Sequence, residues 1–183
     1  MAIKTFSDGN SLPASDINTY LTNSGLVYVT SQTIGSAVSS VSVSSAFSST
    51  YDNYRIVFGG GVASSASGQL NLKLGSSTTG YYGVLQYALY ASGGNLVAQD
   101  NNAAAFSYMA NINVNQVAGS IDLLQPYLAK HTLVKDASWI ASNACGTYCG
   151  IHQVATSYTD FTFIPNAGTL TGGTITVYGY RKA

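Results

Sequence analysis

The sequence predicts an all-β protein, an antiparallel β-sandwich of jelly-roll type with a short helix in an N-terminal arm. Three observations point there. Charged residues make up 8% of the 183, against roughly 25% in an ordinary soluble domain, and the seven acidic residues are all Asp, so the strong helix former Glu is absent. Fourteen Tyr stand among runs of Ser, Thr, Asn and Gly, a composition that suits strands and turns. Beyond residue 25 the apolar residues recur with period two, in short runs broken by turn residues about every ten positions.

The helix comes first. In LPASDINTYLTNSG, residues 12–25, Pro13 suits the first helical position and Asp16 falls in the first turn, where the helix dipole favours a negative charge. Ile17, Tyr20, Leu21 and Ser24 share one face at i, i+3, i+4 and i+7, and Gly25 is the expected left-handed cap. About eleven residues do not hold a helix alone in water. Its apolar face therefore needs a partner: the rest of the domain, a sister subunit or another protein.

The strands follow in order. LVYV (26–29) is short. VSSVSVSSAF (38–47) alternates Val41 and Val43 with Ser. YRIVF (54–58) turns Tyr54, Ile56 and Phe58 to one face and Arg55 and Val57 to the other. GGGVASSASG (59–68) reads as a flexible turn. QLNLKLG (69–75) is the clearest strand, with Leu70, Leu72 and Leu74 inward and Gln69, Asn71 and Lys73 outward. YYGVLQYALYA (81–91) carries Tyr on both faces, and AFSYMANINVN (105–115) sets Phe106, Tyr108, Ala110, Ile112 and Val114 against Ser, Met and Asn. SIDLL, HTLVKDASWIA, YCGIHQVA, DFTFIP and TITVYGYR complete about nine or ten short strands, the recurrence of a sandwich or jelly roll. Two parts result: an arm over residues 1–25 and one sandwich domain over 26–183.

Chemistry is sparse. A formal net charge of zero argues against nucleic acid, whose binding needs Lys and Arg to displace counterions. MAIKTFSDGNSLP lacks the apolar core of a signal peptide, and no window approaches the roughly 18 apolar residues of a membrane span, so synthesis in a cytosol and no membrane insertion are expected. No catalytic set emerges, and the protein is read as a non-enzyme without cofactor or metal. His131 follows Lys130 in an expected turn, and His152 in CGIHQ is expected to pack or hydrogen-bond inside the sheet. Asp52, Asp100, Asp122, Asp136 and Asp160 fall in or beside expected turns, where Asp bonds its local backbone. The triple Gly at 59–61 has no Lys and helix of a phosphate loop, and DNN at 100–102 is too short for a calcium loop. Cys145 and Cys149 would share one strand face with their Cα atoms roughly 13 Å apart, too far for a disulfide unless Gly146-Thr147 turns. They are read as free, mostly buried thiols. Arg55 is expected to snorkel or to pair with an Asp or a carbonyl across the sheet.

Binding remains. Tyr81, Tyr82, Tyr87 and Tyr90 lie within ten residues and supply apolar area with a polar handle, for a subunit interface or for glycan contact. Loops 75–81, 92–104 and 142–150 are the places where a saccharide would be read. A surface this poor in charge is also weakly protected against association, which favours work inside an assembly.

Two stretches carry a resemblance. FSDGNSLPASDINTYLTNSGLVYV is similar to the N-terminal segment of phage virion-associated fibre and minor tail proteins, through Phe6, Gly9, Leu12, Ala14, Asp16, Asn18, Tyr20 and Leu21; Pro13 stands where Thr or Ser is usual. FSSTYDNYRIVF resembles a strand of the same proteins through Phe47, Tyr51, Asn53, Tyr54, Arg55 and Ile56, and TGGTITVYGYRK resembles their terminal strand more generically. The resemblance implies a structural virion protein: an attachment segment, then a β-sandwich head; the anchors expected in that segment are Phe6 and Leu12 together with Ile17, Tyr20 and Leu21 of the apolar helix face. It further implies a homotrimer bound to other virion proteins, with host recognition through a cell-surface glycan as an added role. Tail, baseplate and capsid sites stay open, so a capsid decoration protein (cement or head fibre) is an alternative, and a carbohydrate-binding module is the alternative from another class.

Overall fold

The computed structural model describes residues 25–182; the expected helix and the five anchor residues of the arm lie outside them. Thirteen strands and no helix occur among the described residues. They are β1 (Leu26–Thr33), β2 (Val41–Val43), β3 (Asn53–Ala63), β4 (Gly68–Leu74), β5 (Tyr81–Leu89), β6 (Asn95–Ala103), β7 (Phe106–Ile112), β8 (Val117–Leu124), β9 (Thr132–Ile140), β10 (Ala144–His152), β11 (Phe161–Pro165), β12 (Leu170–Thr171) and β13 (Thr174–Tyr180). The large sheet runs β1-β13-β3-β8-β9-β10-β5-β6, with β12 on β3, and the small sheet runs β2-β11-β4-β7. The strand pairings are antiparallel, and the two sheets form a β-sandwich.

Alternation places the core. Leu70, Leu72 and Leu74 of β4 are buried, and so are Tyr54, Ile56 and Phe58 of β3 and Ile175 and Val177 of β13. Aromatic rings link the sheets. Phe47 stacks on Phe161 at 5.7 Å, while Phe47 with Tyr54 at 4.9 Å, Phe161 with Phe163 at 5.2 Å and Phe163 with Phe58 at 5.0 Å meet edge-on. Such edge-to-face contacts add to the area that the rings bury. The Tyr54 hydroxyl accepts from Ser48 N at 2.8 Å and donates to Ser48 O at 2.9 Å, which pins the chain before β3.

Three readings of the sequence change. Residues 59–61 are not a turn but the continuation of β3, through a register shift between Phe58 and Gly61. Glycine is needed there because the strand lies against Gly172 and Gly173: a Cβ on Gly173 would sit 2.6 Å from Gly61 N, and Gly173 itself holds φ at +88°. Gly173→Ala is therefore expected to destabilise by at least about 1 kcal/mol, read as a lower urea midpoint. Residues 92–104 are not mainly a loop, because β6 occupies 95–103. It is an edge strand, exposed at most positions, so selection for burial writes no period-two pattern into it. In β7, Met109 is fully buried and Val114 beyond its end is exposed, the reverse of the expected facing. A bulge opposite Leu70–Leu72 breaks the alternation there.

Candidate functional site

The small sheet covers one face of the large one. The opposite, outer face carries the residues that point to function. Cross-strand register sets Tyr28 opposite Tyr178, Tyr178 opposite Arg55, Arg55 opposite Asp122 and Asp122 opposite Lys135. Arg55 grips Asp122 with two parallel bonds, Nε to Oδ1 and Nη2 to Oδ2, each 2.8 Å. Tyr180 donates its hydroxyl to Oδ1 at 2.8 Å, and Lys135 Nζ stands 3.9 Å from Oδ2. Although Asp122 points outward, these neighbours cover it to 3% side-chain exposure. Burial by itself would raise its carboxyl pKa; the bonds from Arg55 and Tyr180 and the charges of Arg55 and Lys135 outweigh that and hold it below the ordinary value. Arg55 thus has the cross-sheet Asp its sequence position called for. Asp122 corrects the expectation of a turn residue, since it lies within β8. A cavity of about 240 Å³ opens here between Asn53, Asp122, Leu124, Lys135 and Tyr180.

Next to this knot the same face is apolar. Leu124 lies opposite Leu133, Leu133 opposite Ile151, and Ile151 opposite Tyr82, one residue from each of β8, β9, β10 and β5. With Val84 and Cys149 they line a shallow groove of about 520 Å³. Leu133 and Val84, on either side of β10, leave 37% and 38% of their surfaces open. Lys135 is the charged residue in its wall.

The four tyrosines singled out in the sequence divide between faces, as period two dictates. Tyr81 is a core residue. Its ring stacks on His152 at 4.1 Å, its hydroxyl accepts from Leu74 N at 2.8 Å, and burial pushes its pKa up to about 12. Tyr82 is in the groove wall. Tyr87 packs against Trp139 at 5.3 Å, above Gly146. Tyr90 lies beyond the end of β5, 59% exposed, with its hydroxyl donated to Ala141 O at 3.3 Å. They do not form one aromatic patch.

The other polar groups are structural. His152 is buried, its Nε2 2.8 Å from the Tyr158 hydroxyl, and burial lowers its pKa. His131 is exposed. Asp100, also expected in a turn, is buried on β6, where it accepts from Ser107 N at 2.9 Å, Ser107 Oγ at 2.6 Å and Tyr148 Oη at 2.6 Å. It ties β6, β7 and β10 together. Cys145 and Cys149 are free thiols, but exposed rather than buried, because β10 stays extended through Gly146-Thr147 and keeps both on the outer face. Residues 144–152 are thus strand, and the saccharide-reading loops expected at 92–104 and 142–150 shrink to short turns. Among the described residues no three His, Cys, Asp or Glu side chains cluster as a metal would need. Comparison with family models, curated proteins and solved structures finds no match.

Proposed function

We propose that the protein is a structural component of a phage virion, a short fibre or tail-associated subunit held by its N-terminal arm and presenting the sandwich outward. The observation that carries this reading is the resemblance of residues 6–21 and 47–58 to phage fibre and minor tail proteins, in the same order along the chain. The fold is consistent with it: Phe47, Tyr51, Tyr54, Arg55 and Ile56 form the aromatic corner and the Asp122 grip that organise β3. The low charge and the outer apolar face suit a subunit that works packed against neighbours.

The test is assembly. Deletion of residues 1–25 is expected to leave the circular dichroism of the β domain intact and to remove the protein from purified particles. Particles that keep the truncated protein at full occupancy overturn the reading. Immunogold over heads instead of tails would move the protein to capsid decoration. Light scattering checks the homotrimer, at three chains of 19.0 kDa per molecule.

A further inference from the structure

We propose that the outer edge of β6 is a pairing surface for a second copy of the chain, with Asn95–Gln99 antiparallel to the same residues of the copy and Val97 on the two-fold axis.

The edge itself is open. β6 ends the large sheet, with β5 on one side and, among the described residues, no strand on the other. Its outward N–H and C=O groups present a template for a further strand, and folded proteins block such edges with Lys, Pro, a bulge or a short strand. β6 is nine residues long and holds no Lys, Arg or Pro. Its one charged residue, Asp100, is turned inward and accepts three bonds from Ser107 and Tyr148. Six consecutive pairs with β5, from Asn95 opposite Ala88 to Asp100 opposite Gly83, run without a break. The register shift and the positive φ of Asn102 (53°) come only after them. The other edges offer less. β1 is interrupted by a shift between Tyr28 and Thr30, β2 has three residues, and β7 is buried at most positions.

Side chains choose the partner. Val97 is 62% exposed on the outer face and Leu96 38% exposed on the inner one, so a strand added here needs apolar residues on both faces. β6 supplies them to itself. Opposite residues of an antiparallel pair share a face. With the axis at Val97, Val97 meets the partner's Val97, Leu96 meets the partner's Ala98, and Asn95 meets the partner's Gln99. Asp100 falls opposite Gly94, beside which there is open space, and the two Asp100 residues stand about 20 Å apart. An axis at Ala98 would instead set Leu96 against Asp100, and one at Leu96 would set Val97 against Asn95. Charge and apolar surface therefore agree on one register. Five paired residues a side make a contact smaller than the about 1,200–2,000 Å² of stable complexes, so the pairing is transient in dilute solution. Copies held side by side on a particle meet at millimolar effective concentration, where it persists.

Cross-linking reads the register directly. The full-length chain is used with Cys145→Ser and Cys149→Ser, which removes both native thiols, at millimolar concentration with copper-phenanthroline as oxidant. Cross-strand Cα atoms on the axis lie about 4.5–5.5 Å apart, within disulfide reach, whereas the two Gln99 positions lie about 14 Å apart. Val97→Cys is expected to form disulfide-linked dimers at least about tenfold faster than Gln99→Cys. Asn95→Cys mixed with Gln99→Cys is expected to give the mixed dimer and little of either symmetric one. Circular dichroism of each variant checks that the sandwich is folded. Equal rates for Val97→Cys and Gln99→Cys overturn the proposal, because chance collision does not distinguish them. No dimer from folded Val97→Cys, or faster dimer from Gln99→Cys, overturns it as well. A trimer joined through other surfaces would keep all its β6 edges open, and the measurement uses no particles. Its failure therefore leaves the virion reading standing, and failure of the virion reading leaves the edge pairing untouched.

Discussion

Asp122→Ala is expected to lower the unfolding free energy by about 2–4 kcal/mol, seen as a fall in urea midpoint at unchanged slope. The carboxylate holds two bonds from Arg55 and one from Tyr180 while 3% exposed. Removing it leaves the guanidinium and the phenol without their acceptor, and breaking a fully buried pair costs about 3–5 kcal/mol. The Arg55 side chain is 37% exposed and recovers water, which places the expectation below the top of that range. Asp122→Asn keeps the shape and one acceptor oxygen and is expected to lose less. The same group sets an acid limit. Its pKa is lowered on folding from an ordinary value of 3.8, so its stabilisation is fully present above that value and is lost as pH falls through the lower, folded one. Wild type is expected to lose stability below about pH 4 more steeply than Asp122→Asn, which has no such proton to take up. Parallel acid curves for the two proteins would remove the grip from any account of stability.

Phe161→Ala is expected to cost about 3–5 kcal/mol, a drop of roughly 10 °C in melting temperature. Phe161 is wholly buried on β11, between β2 and β4, and its ring faces Phe47 and Phe163. Neighbours on both flanks are fixed by ladder bonds, so the sheet cannot close over the void and the cavity persists. Phe161→Leu fills most of that volume and is expected to lose far less. Similar melting temperatures for the alanine and leucine proteins would show that the small sheet relaxes freely.

The fold class was legible because β4, β11 and β13 are buried on one side and wet on the other, which writes alternation directly into the chain. β6 was not legible, because an edge strand with one buried residue, Asp100, has nothing to alternate. The Gly59–Gly61 continuation was hidden for another reason: Gly marks turns and close approaches alike, and only the neighbour, Gly172–Gly173, separates them. Of the outer face, Arg55 could be read as needing a partner, since a charge inside an apolar strand demands one. Asp122 could not be chosen among the Asp residues, because pairing depends on the register of β3 and β8, 67 residues apart. The groove was harder still. Leu124, Leu133 and Ile151 each look like ordinary core residues, and only their shared facing on adjacent strands makes them a surface. Tyr81 and Tyr82, adjacent in sequence, lie on opposite faces as the period of two in that segment implies, so only the grouping of the four tyrosines as one contact surface fails.

The pairing of β1 with β13 bears on how the protein is made. The first described strand to leave a ribosome has its ladder partner in the last, with Leu26 set opposite Tyr180. Until synthesis reaches β13, the hydrogen-bonding edge of β1 has no partner within the sheet, and β3 lacks one of its neighbours as well. Assembly of the large sheet thus waits until β13 has been made and has long loops to close, which sets folding on the slow scale of non-local β proteins, milliseconds to seconds. During that interval the nascent chain exposes an uncharged strand edge, LVYVTSQT, to other nascent copies beside it.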